Sequence, residues 1–269
     1  MDRSDREADA ASVVLRECRA ALLARGTTVV GEATGGSAPG DIAAWAHYPP
    51  NEVYDPLTHL QYFFHRHAAA LPAATARECG HFHLFLRGEG MPPGAVPLLL
   101  AETAVANVRS VPQSAPLKRG SSDKVCHLVA IAVDEHGEPI RLFTTNRWVT
   151  GETWYRADDV VAMLGKVRFD GVSRGPTLLD RWIGGVVRLF WSEIEDLLRR
   201  RDAAIVEWRW RWPRGNAFED PRLEVTSSQD IDLAARLAAI EAGRASSRRL
   251  APLPPRRASL PSMADGWGS

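Results

Sequence analysis

The first periodic pattern along the chain is helical. Val14, Cys18 and Leu22 recur every four residues, so they would share one face of a helix. The pattern predicts an amphipathic helix over residues 9–25. This helix is expected to end before Gly26, because glycine is a common residue just past a helix end.

A loop and a second helix are predicted next. Residues 31–40 are rich in Gly, Ser and Pro, which indicates a loop. Asp55 can accept hydrogen bonds from free backbone N–H groups and Pro56 suits a first helical position, so a helix is predicted over residues 56–69. Its apolar positions fall on one face: Leu57, Leu60, Phe64 and Ala68.

Three strands are predicted in the middle of the chain. Residues 81–87 are rich in aromatic and apolar side chains and are followed by Gly88, a pattern typical of a short strand. Residues 125–133 and 140–148 are two strand-like runs on either side of a tight, glycine-containing turn. This arrangement predicts a β-hairpin.

The hairpin pattern also predicts a register. With the turn at residues 136–137, Val133 pairs with Ile140. The same register brings His127 beside Asn146 on one face of the sheet. The two side chains are therefore expected to be neighbours.

The remaining segments are mostly helical in pattern. Helices are predicted over 98–108, 157–166, 194–212 and 229–242. Two pairs have the spacing of a helix-starting capping box: Thr177 with Asp180, and Ser192 with Glu195. The stretch 206–212 alternates apolar and polar residues as a strand does, so helix and strand both stay open there.

Together these elements predict an α+β protein, in which a small antiparallel sheet with strands near 81–87, 125–133 and 140–148 packs with several helices. Three segments are expected: an N-terminal helix and flexible loop (1–40), one α+β domain (41–243) and an Arg-, Pro- and Ser-rich tail (244–269). The tail has too little apolar content to form a core and is predicted to be disordered.

Composition narrows the function classes. The chain is 45% hydrophobic and 25% charged, as is usual for globular proteins, and 33 basic residues balance 33 acidic ones. No net field would attract nucleic acid, and no stretch approaches the roughly 20 apolar residues of a membrane helix. The charged N-terminus does not resemble a secretory signal, so a cytoplasmic protein with three reduced cysteines is expected. The sequence does not indicate which oligomeric state the protein has.

Histidine is distributed unevenly, because six of the eight histidines lie between His47 and His83. On a strand, residues two apart point to the same side, so His81 and His83 would present both imidazoles to one surface and could clamp a metal ion. His67 and His65, expected on the preceding helix, could complete the ligand set. Zinc and iron both suit such ligands.

Two further residues are candidates for catalysis. Glu78 precedes His81 by three residues and could be a general base, a ligand or an acceptor that orients an imidazole. His127 on the hairpin is a second candidate. No Walker-type phosphate loop, nucleophile-elbow pentapeptide or Gly-x-Gly-x-x-Gly motif is present, so no nucleotide cofactor is predicted.

A polar group of residues follows at the end of the third predicted strand and is a candidate substrate-binding set. It combines hydroxyl, amide, guanidinium and indole groups, which could hold a carboxylate or phosphate and stack a planar ligand: Thr144, Asn146, Arg147 and Trp148. A structural role is the alternative, with Arg147 paired to Glu152. Trp148 and Trp154 would then lie in the core.

Several runs of sequence resemble an uncharacterised bacterial family of the domain-of-unknown-function kind. They are His47-Tyr48-Pro49-Pro50, Val53-Tyr54-Asp55-Pro56, Gln61 to His67, Gly80 to Leu86 and Leu142 to Glu152. The resemblance spans about residues 45 to 240. It implies no activity for any residue.

Three functions remain open on these grounds. The first is a metal-dependent enzyme, a hydrolase or a non-haem oxygenase, acting on a small anionic substrate. The second is a non-catalytic protein that binds a small ligand or a partner and whose histidines are structural or respond to pH. The third is a scaffold that uses the surface from Trp208 to Trp212 and the basic tail.

Overall fold

The computed structural model describes residues 3–37, 41–67, 77–98, 124–169 and 177–250. The chain divides into two compact units, residues 1–233 and residues 234–269. The first unit contains the sheet and all candidate site residues. The second unit is described as a helix up to Leu250.

The first unit is built around a six-stranded sheet in which every neighbouring pair is antiparallel and the strands follow chain order. The strands are β1 (Tyr48–Tyr54), β2 (Leu60–His65), β3 (Gly80–Arg87), β4 (Val125–Val133), β5 (Pro139–Thr145) and β6 (Val225–Asp230). Such a meander needs only short connections between neighbouring strands.

Seven α-helices are described alongside the sheet, so the predicted α+β class is confirmed. They are α1 (Arg3–Ala24), α2 (Val29–Thr34), α3 (Arg147–Thr150), α4 (Ala157–Leu164), α5 (Leu178–Leu189), α6 (Trp191–Arg211) and α7 (Leu233–Leu250). Short 3₁₀ turns lie at Gly88–Gly90 and Ala217–Glu219. None of these described helices combines the length and apolar character needed to cross a bilayer.

Helices α5 and α6 cover one face of the sheet. The Tyr62 hydroxyl donates to Asp180 of α5 at 2.7 Å, and Phe82 packs against Trp182 with ring centres 5.7 Å apart. From α6, Leu197 accepts a hydrogen bond from Ser227 of β6. We call this the helix face of the sheet.

Helix α1 packs on α5 rather than standing apart with the following loop. Gly185 permits the close approach, because a Cβ there would lie only 2.8 Å from Leu15 Cγ. Arg181 also pairs with Glu17 at 2.5 Å. The predicted segment 1–40 is therefore joined to the main body through its helix.

The predicted helix over 56–69 is wrong, because the described part of that segment is the turn and strand β2. Asp55 does cap free N–H groups, but it caps a tight turn: its Oδ1 accepts from Leu57 N at 2.9 Å. Apolar positions four apart, such as Leu60 and Phe64, share a face on a helix and also on a strand. Because β2 is buried on both faces, its pattern did not separate the two structures.

The hairpin is confirmed, with a glycine at its turn. Gly137 has a φ of 76°, which a side chain would disfavour. Ala130 pairs with Phe143 as the predicted register requires, whereas Val133 pairs with Pro139 instead of Ile140 because the register shifts there.

The second strand of the hairpin is shorter than predicted. It ends at Thr145, so the part of the prediction up to residue 148 is wrong. Asn146 instead caps the short helix α3, accepting from Arg147 N at 2.8 Å. A capping side chain redirects the backbone out of the sheet.

Three helical predictions are confirmed in the second half of the chain. Helix α4 lies within the predicted range 157–166, and Thr177 with Asp180 forms the predicted capping box. Helix and strand were both open for residues 206–212, and the structure shows a helix up to Arg211.

Other boundaries differ from the predictions. Helix α6 begins at Trp191, so Ser192 lies inside the helix and bonds to Glu193 instead of closing the predicted capping box with Glu195. Helix α2 occupies part of the predicted loop 31–40. Residues 99–108 of one predicted helix lie outside the described residues.

The last helix also starts and ends beyond its predicted limits. Residues 229 and 230 belong to β6, so the helix predicted over 229–242 begins only at Leu233. It continues through residue 244 to Leu250. Residues 251–269 lie outside the described residues.

Candidate metal centre

The face of the sheet opposite the helices carries a row of buried imidazoles. Alternation along β2 and β3 places His65, His81 and His83 on this face, and a bulge in β4 brings His127 beside Phe85. We call it the imidazole face. Its histidines are buried, and their rings are in contact with one another across the strands.

Three of the imidazoles converge at one end of this face. His65 and His81 are directly paired across β2 and β3, and His67 follows just after β2. One ring nitrogen from each lies within 4.8 Å of the others, which is a geometry that could hold a metal ion. We call these three residues the triad.

The closest pair of the triad has a separation near that of metal ligands. His65 Nε2 and His81 Nε2 lie 2.6 Å apart. Two nitrogens bound to tetrahedral zinc at 2.0–2.1 Å are roughly 3.3 Å apart. Separating the two nitrogens by less than about 1 Å and turning both lone pairs towards one point would give the spacing of two zinc ligands.

Glu78 fixes the orientation of one triad residue. Its Oε1 lies 2.6 Å from His81 Nδ1, and its Oε2 accepts from Arg141 Nη2. Burial opposes ionisation of Glu78, but the hydrogen bonds from these two partners outweigh it and lower its pKa. A carboxylate here keeps the proton on His81 Nδ1 and leaves the Nε2 lone pair facing the other triad residues.

The electrostatics at two triad residues, His65 and His67, favour the neutral imidazole, which is the form that binds metal. Burial, followed by the neighbouring imidazoles beginning with His81, lowers the pKa of His65 to about 2. Burial and His81 also lower the pKa of His67 to about 4. Both rings are therefore unprotonated near neutral pH.

Aromatic packing closes the outer side of the triad. The half-buried His67 ring stacks on Trp45 with centres 4.3 Å apart. Trp45 is 49% exposed and has a φ of 67°, an uncommon conformation for a residue other than glycine. This end of the site is its solvent-facing side.

A second imidazole pair continues the row. His83 Nδ1 lies 3.0 Å from His127 Nε2, and the rings of His81 and His83 are 4.8 Å apart. Burial lowers the pKa of His127 to about 3, with Arg201 as the next cause. Burial also lowers the pKa of His83, followed by His81. The row of buried imidazoles thus extends from the triad to His127, near the start of β4.

A second carboxylate–imidazole pair lies beside the first. His47 Nδ1 is 2.6 Å from Glu52 Oε1, and the His47 ring stacks on Phe63 at 3.6 Å. Glu52 has a φ of 54° and lies within the irregular part of the β1–β2 pairing. Bulges re-aim side chains in this way next to functional sites.

The structure brings together the candidate metal-site residues and both candidate catalytic residues on one face. These are His65, His67, His81, His83, Glu78 and His127. Their arrangement differs from the predicted one, because His65 lies on a strand and His67 just after it, not on a helix. His83 contacts His127 instead of joining the group of three.

The predicted substrate-binding residues are not gathered at this site. Thr144 points to the helix face and bonds to Thr226 and Ser227. Asn146 caps α3 and donates to Ala217 O at 2.7 Å. Thr144 therefore joins β5 to β6, and Asn146 joins α3 to the turn at Ala217.

Arg147 and Trp148 are also engaged elsewhere. Arg147 is buried and pairs with Glu219, not with Glu152 as the structural alternative supposed. Trp148 donates from its indole to Leu223 O at 2.9 Å and is only partly buried. Glu152 instead accepts from the backbone N–H of His127 at 2.7 Å.

Sequence reasoning missed Arg141 and Phe143 on β5. The Phe143 ring centre is 5.0 Å from that of His81, and the Arg141 guanidinium lies 4.7 Å from the Phe143 ring centre. Their two-residue spacing was the available signal, because it puts both on one face of the predicted hairpin. Pairing the first strand of the hairpin with β3 would have placed both residues near the histidines.

Comparison with known proteins gives one match. The family model for a domain of unknown function (DUF6969) matches residues 8–231. Searches of the curated proteins and of the solved structures gave no match. The site geometry must therefore carry the functional argument.

Proposed function

Since the chain belongs to the DUF6969 family, a domain of unknown function, we propose its role from the site: a metal-dependent enzyme acting on a small anionic substrate. The metal ligands are His65, His67 and His81. The observation that carries the proposal is the convergence of three ring nitrogens within 4.8 Å of one another. A divalent transition metal, zinc or iron, suits these ligands.

The partner of His81 supports a metal site more than a chance cluster. Metal-binding imidazoles usually donate their second nitrogen to a carboxylate, which fixes the tautomer and makes the ligand more basic. Glu78 is placed for this at 2.6 Å and is itself held by Arg141. We therefore give Glu78 an orienting role in preference to that of general base.

Three protein ligands favour catalysis over a purely structural metal. Structural zinc sites usually have four protein ligands, whereas catalytic sites have three and leave a position for water or substrate. A metal ion bound here would polarise a substrate oxygen or activate a water molecule. The His83 ring centre lies 5.1 Å from that of His65, and His83 continues into the pair with His127.

Metal content is the first test. The full-length protein is purified from cells supplied with zinc and iron, dialysed, and measured by elemental analysis. We expect close to one transition-metal ion per chain. His65→Ala and His81→Ala should each lower the metal affinity by about 100-fold or more, because each removes a ligand from a set of three.

Two histidine variants sharpen the test. His136→Ala changes a histidine in the exposed β4–β5 turn and should leave metal content unchanged. His83→Ala should retain metal, because His83 lies outside the group of three. Circular dichroism checks that each variant is folded. A folded wild-type protein that stays metal-free under these conditions rejects the proposal.

A non-catalytic protein with structural histidines is the second candidate. It is favoured by the way the imidazoles satisfy one another, as His65 with His81 and His83 with His127 do. Buried polar groups are stable when they are hydrogen-bonded in this way. On this account the wild-type protein binds no metal, and His81→Ala lowers its stability without any change in metal content.

A further inference from the structure

Arg141 is placed beside the triad by the pairing of three strands. His81 of β3 is opposite Ala132 of β4, which is in turn opposite Arg141 of β5. The next row has the same form, with His83, Ala130 and Phe143. The two alanines put only methyl groups between the histidines and the β5 side chains, so the Phe143 ring centre comes within 5.0 Å of that of His81.

The Arg141 guanidinium is held in place but has unused donors. Its Nη2 donates to Glu78, and its plane lies near the Phe143 ring. Of its five N–H groups, those on Nε and Nη1 have no hydrogen-bond partner among the described residues. The side chain is 15% exposed, so these donors can reach a ligand.

The charge balance of the site calls for an anion. Three neutral imidazoles leave the charge of a divalent ion uncompensated, and the charges of Glu78 and Arg141 cancel each other. A buried site with two surplus positive charges is costly unless an anion enters it. A guanidinium next to a metal is well suited to the two oxygens of a carboxylate.

We infer that Arg141 is the anion-binding residue of the metal site and that its ligand is a small carboxylate or similarly compact oxoanion. One of its free donors, on Nε or on Nη1, donates to one oxygen of the ligand while another oxygen faces the open metal position. This inference rests on the proposed function. It also moves the substrate-binding role from the predicted Asn146 and Arg147, whose polar groups bond to Ala217 and Glu219.

The inference is tested by anion binding to the cobalt-loaded protein, whose visible spectrum responds to a change in the ligands of the metal. Acetate is titrated as the probe, with uncharged acetamide as its neutral counterpart. The wild-type protein should bind acetate and bind acetamide far more weakly. Arg141→Gln should weaken acetate binding by about 10- to 100-fold, the size of a lost charge-assisted hydrogen bond.

Two variants control for indirect effects. Arg141→Lys keeps a positive charge next to Glu78 but lacks the guanidinium fork, so we expect it to retain metal and to have intermediate acetate affinity. Arg87→Gln changes an arginine at the other end of β3, where Arg87 bonds to Gln61, and should bind acetate as the wild type does.

The outcomes separate this inference from the proposed function. If Arg141→Gln and Arg141→Lys both retain full metal content and bind acetate like the wild type, Arg141 does not hold the anion, although the metal centre stands. Equal binding of acetate and acetamide by the wild type would also show that Arg141 does not hold the anion. A wild-type protein that takes up no cobalt removes the metal centre and this inference together.

Discussion

The two faces of the central sheet are buried to a similar degree, but only one of them carries a row of imidazoles. On the helix face, Phe64, Phe82 and Leu84 are fully buried apolar residues. On the imidazole face, His81 and His83 are 3% and 2% exposed. Burial of apolar surface stabilises the fold, whereas each buried imidazole needs a partner to offset its lost hydration.

This difference separates the part of the sheet that packs an apolar core from the part that carries the candidate site. Replacing buried polar pairs by well-packed apolar side chains of similar volume is often neutral or stabilising for a fold. A face that departs from that pattern, and whose polar groups converge on one point, has the character of a functional site. We therefore expect substitutions on the helix face to change the free energy of unfolding, and substitutions on the imidazole face to change metal affinity.

The largest effect is expected on the helix face. Phe82→Ala removes a ring packed against Phe64 and Trp182, with ring centres at 5.1 and 5.7 Å. The free energy of unfolding should fall by about 3–5 kcal/mol, because a large cavity replaces the ring. Urea denaturation measures this change.

The same variant should leave the proposed metal site intact while the protein is folded. Metal affinity, measured below the unfolding transition, should match that of the wild type. Phe82→Leu fills most of the volume and is the matched control, with a smaller loss of stability. A large drop in metal affinity in folded Phe82→Ala would show that the two faces are not separable.

A buried carboxyl group provides the next largest effect. Burial raises the pKa of Glu152 to about 7, although Arg201 and the backbone N–H of His127 act in the opposite direction. Its unfolded pKa is near 4.5. The folded state therefore holds an extra proton between these values, and stability falls as pH rises from about 4.5 to 7.

Glu152→Gln should remove this pH dependence. Relative to its effect at pH 4.5, the substitution should stabilise the protein by about 3 kcal/mol at pH 8, where the wild type holds a buried charge. Urea denaturation at the two pH values measures the difference. The amide oxygen can still accept from His127 N. An identical effect of the substitution at both values would contradict the raised pKa.

The smallest of these effects is expected at Glu78, and it should appear in metal binding. Glu78→Gln keeps the shape of the side chain but removes the charge that orients His81 and pairs with Arg141. Metal affinity should fall by about 10- to 100-fold, as it does when a partner of a metal ligand is lost. Competition with a chelator of known affinity measures the change.

Glu193→Gln is the control for the Glu78 variant, because it changes a carboxylate on the exposed start of α6. It should not change metal affinity. If Glu78→Gln binds metal as tightly as the wild type, Glu78 does not orient the ligand, and its bond to His81 is only structural.

Local patterns predicted much of the fold. The capping box at Thr177 and the hairpin around Gly137 are formed by residues close in sequence, so their signals were complete in a short segment. The helix predicted in place of β2 is wrong because the strand is stabilised by pairing with β3, which lies further along the chain. Burial on both faces also removed the alternation that identifies a strand.

The site was predicted in part for the same reason. That His81 and His83 lie on the same face of the sheet follows from strand geometry alone. The contribution of Arg141 depends on the order of three strands, which no short segment encodes. Arg147 was assigned to a ligand because its actual partner, Glu219, is distant in sequence.

The direct pairing of His65 with His81 has a consequence for folding. An ion bound by both would cross-link two neighbouring strands and tie together residues 16 positions apart in the chain. The ion would bind the native pairing and not the open chain, so its binding free energy would add to folding stability. It would also oppose slippage of β2 along β3, since a shift by one residue turns His65 to the helix face.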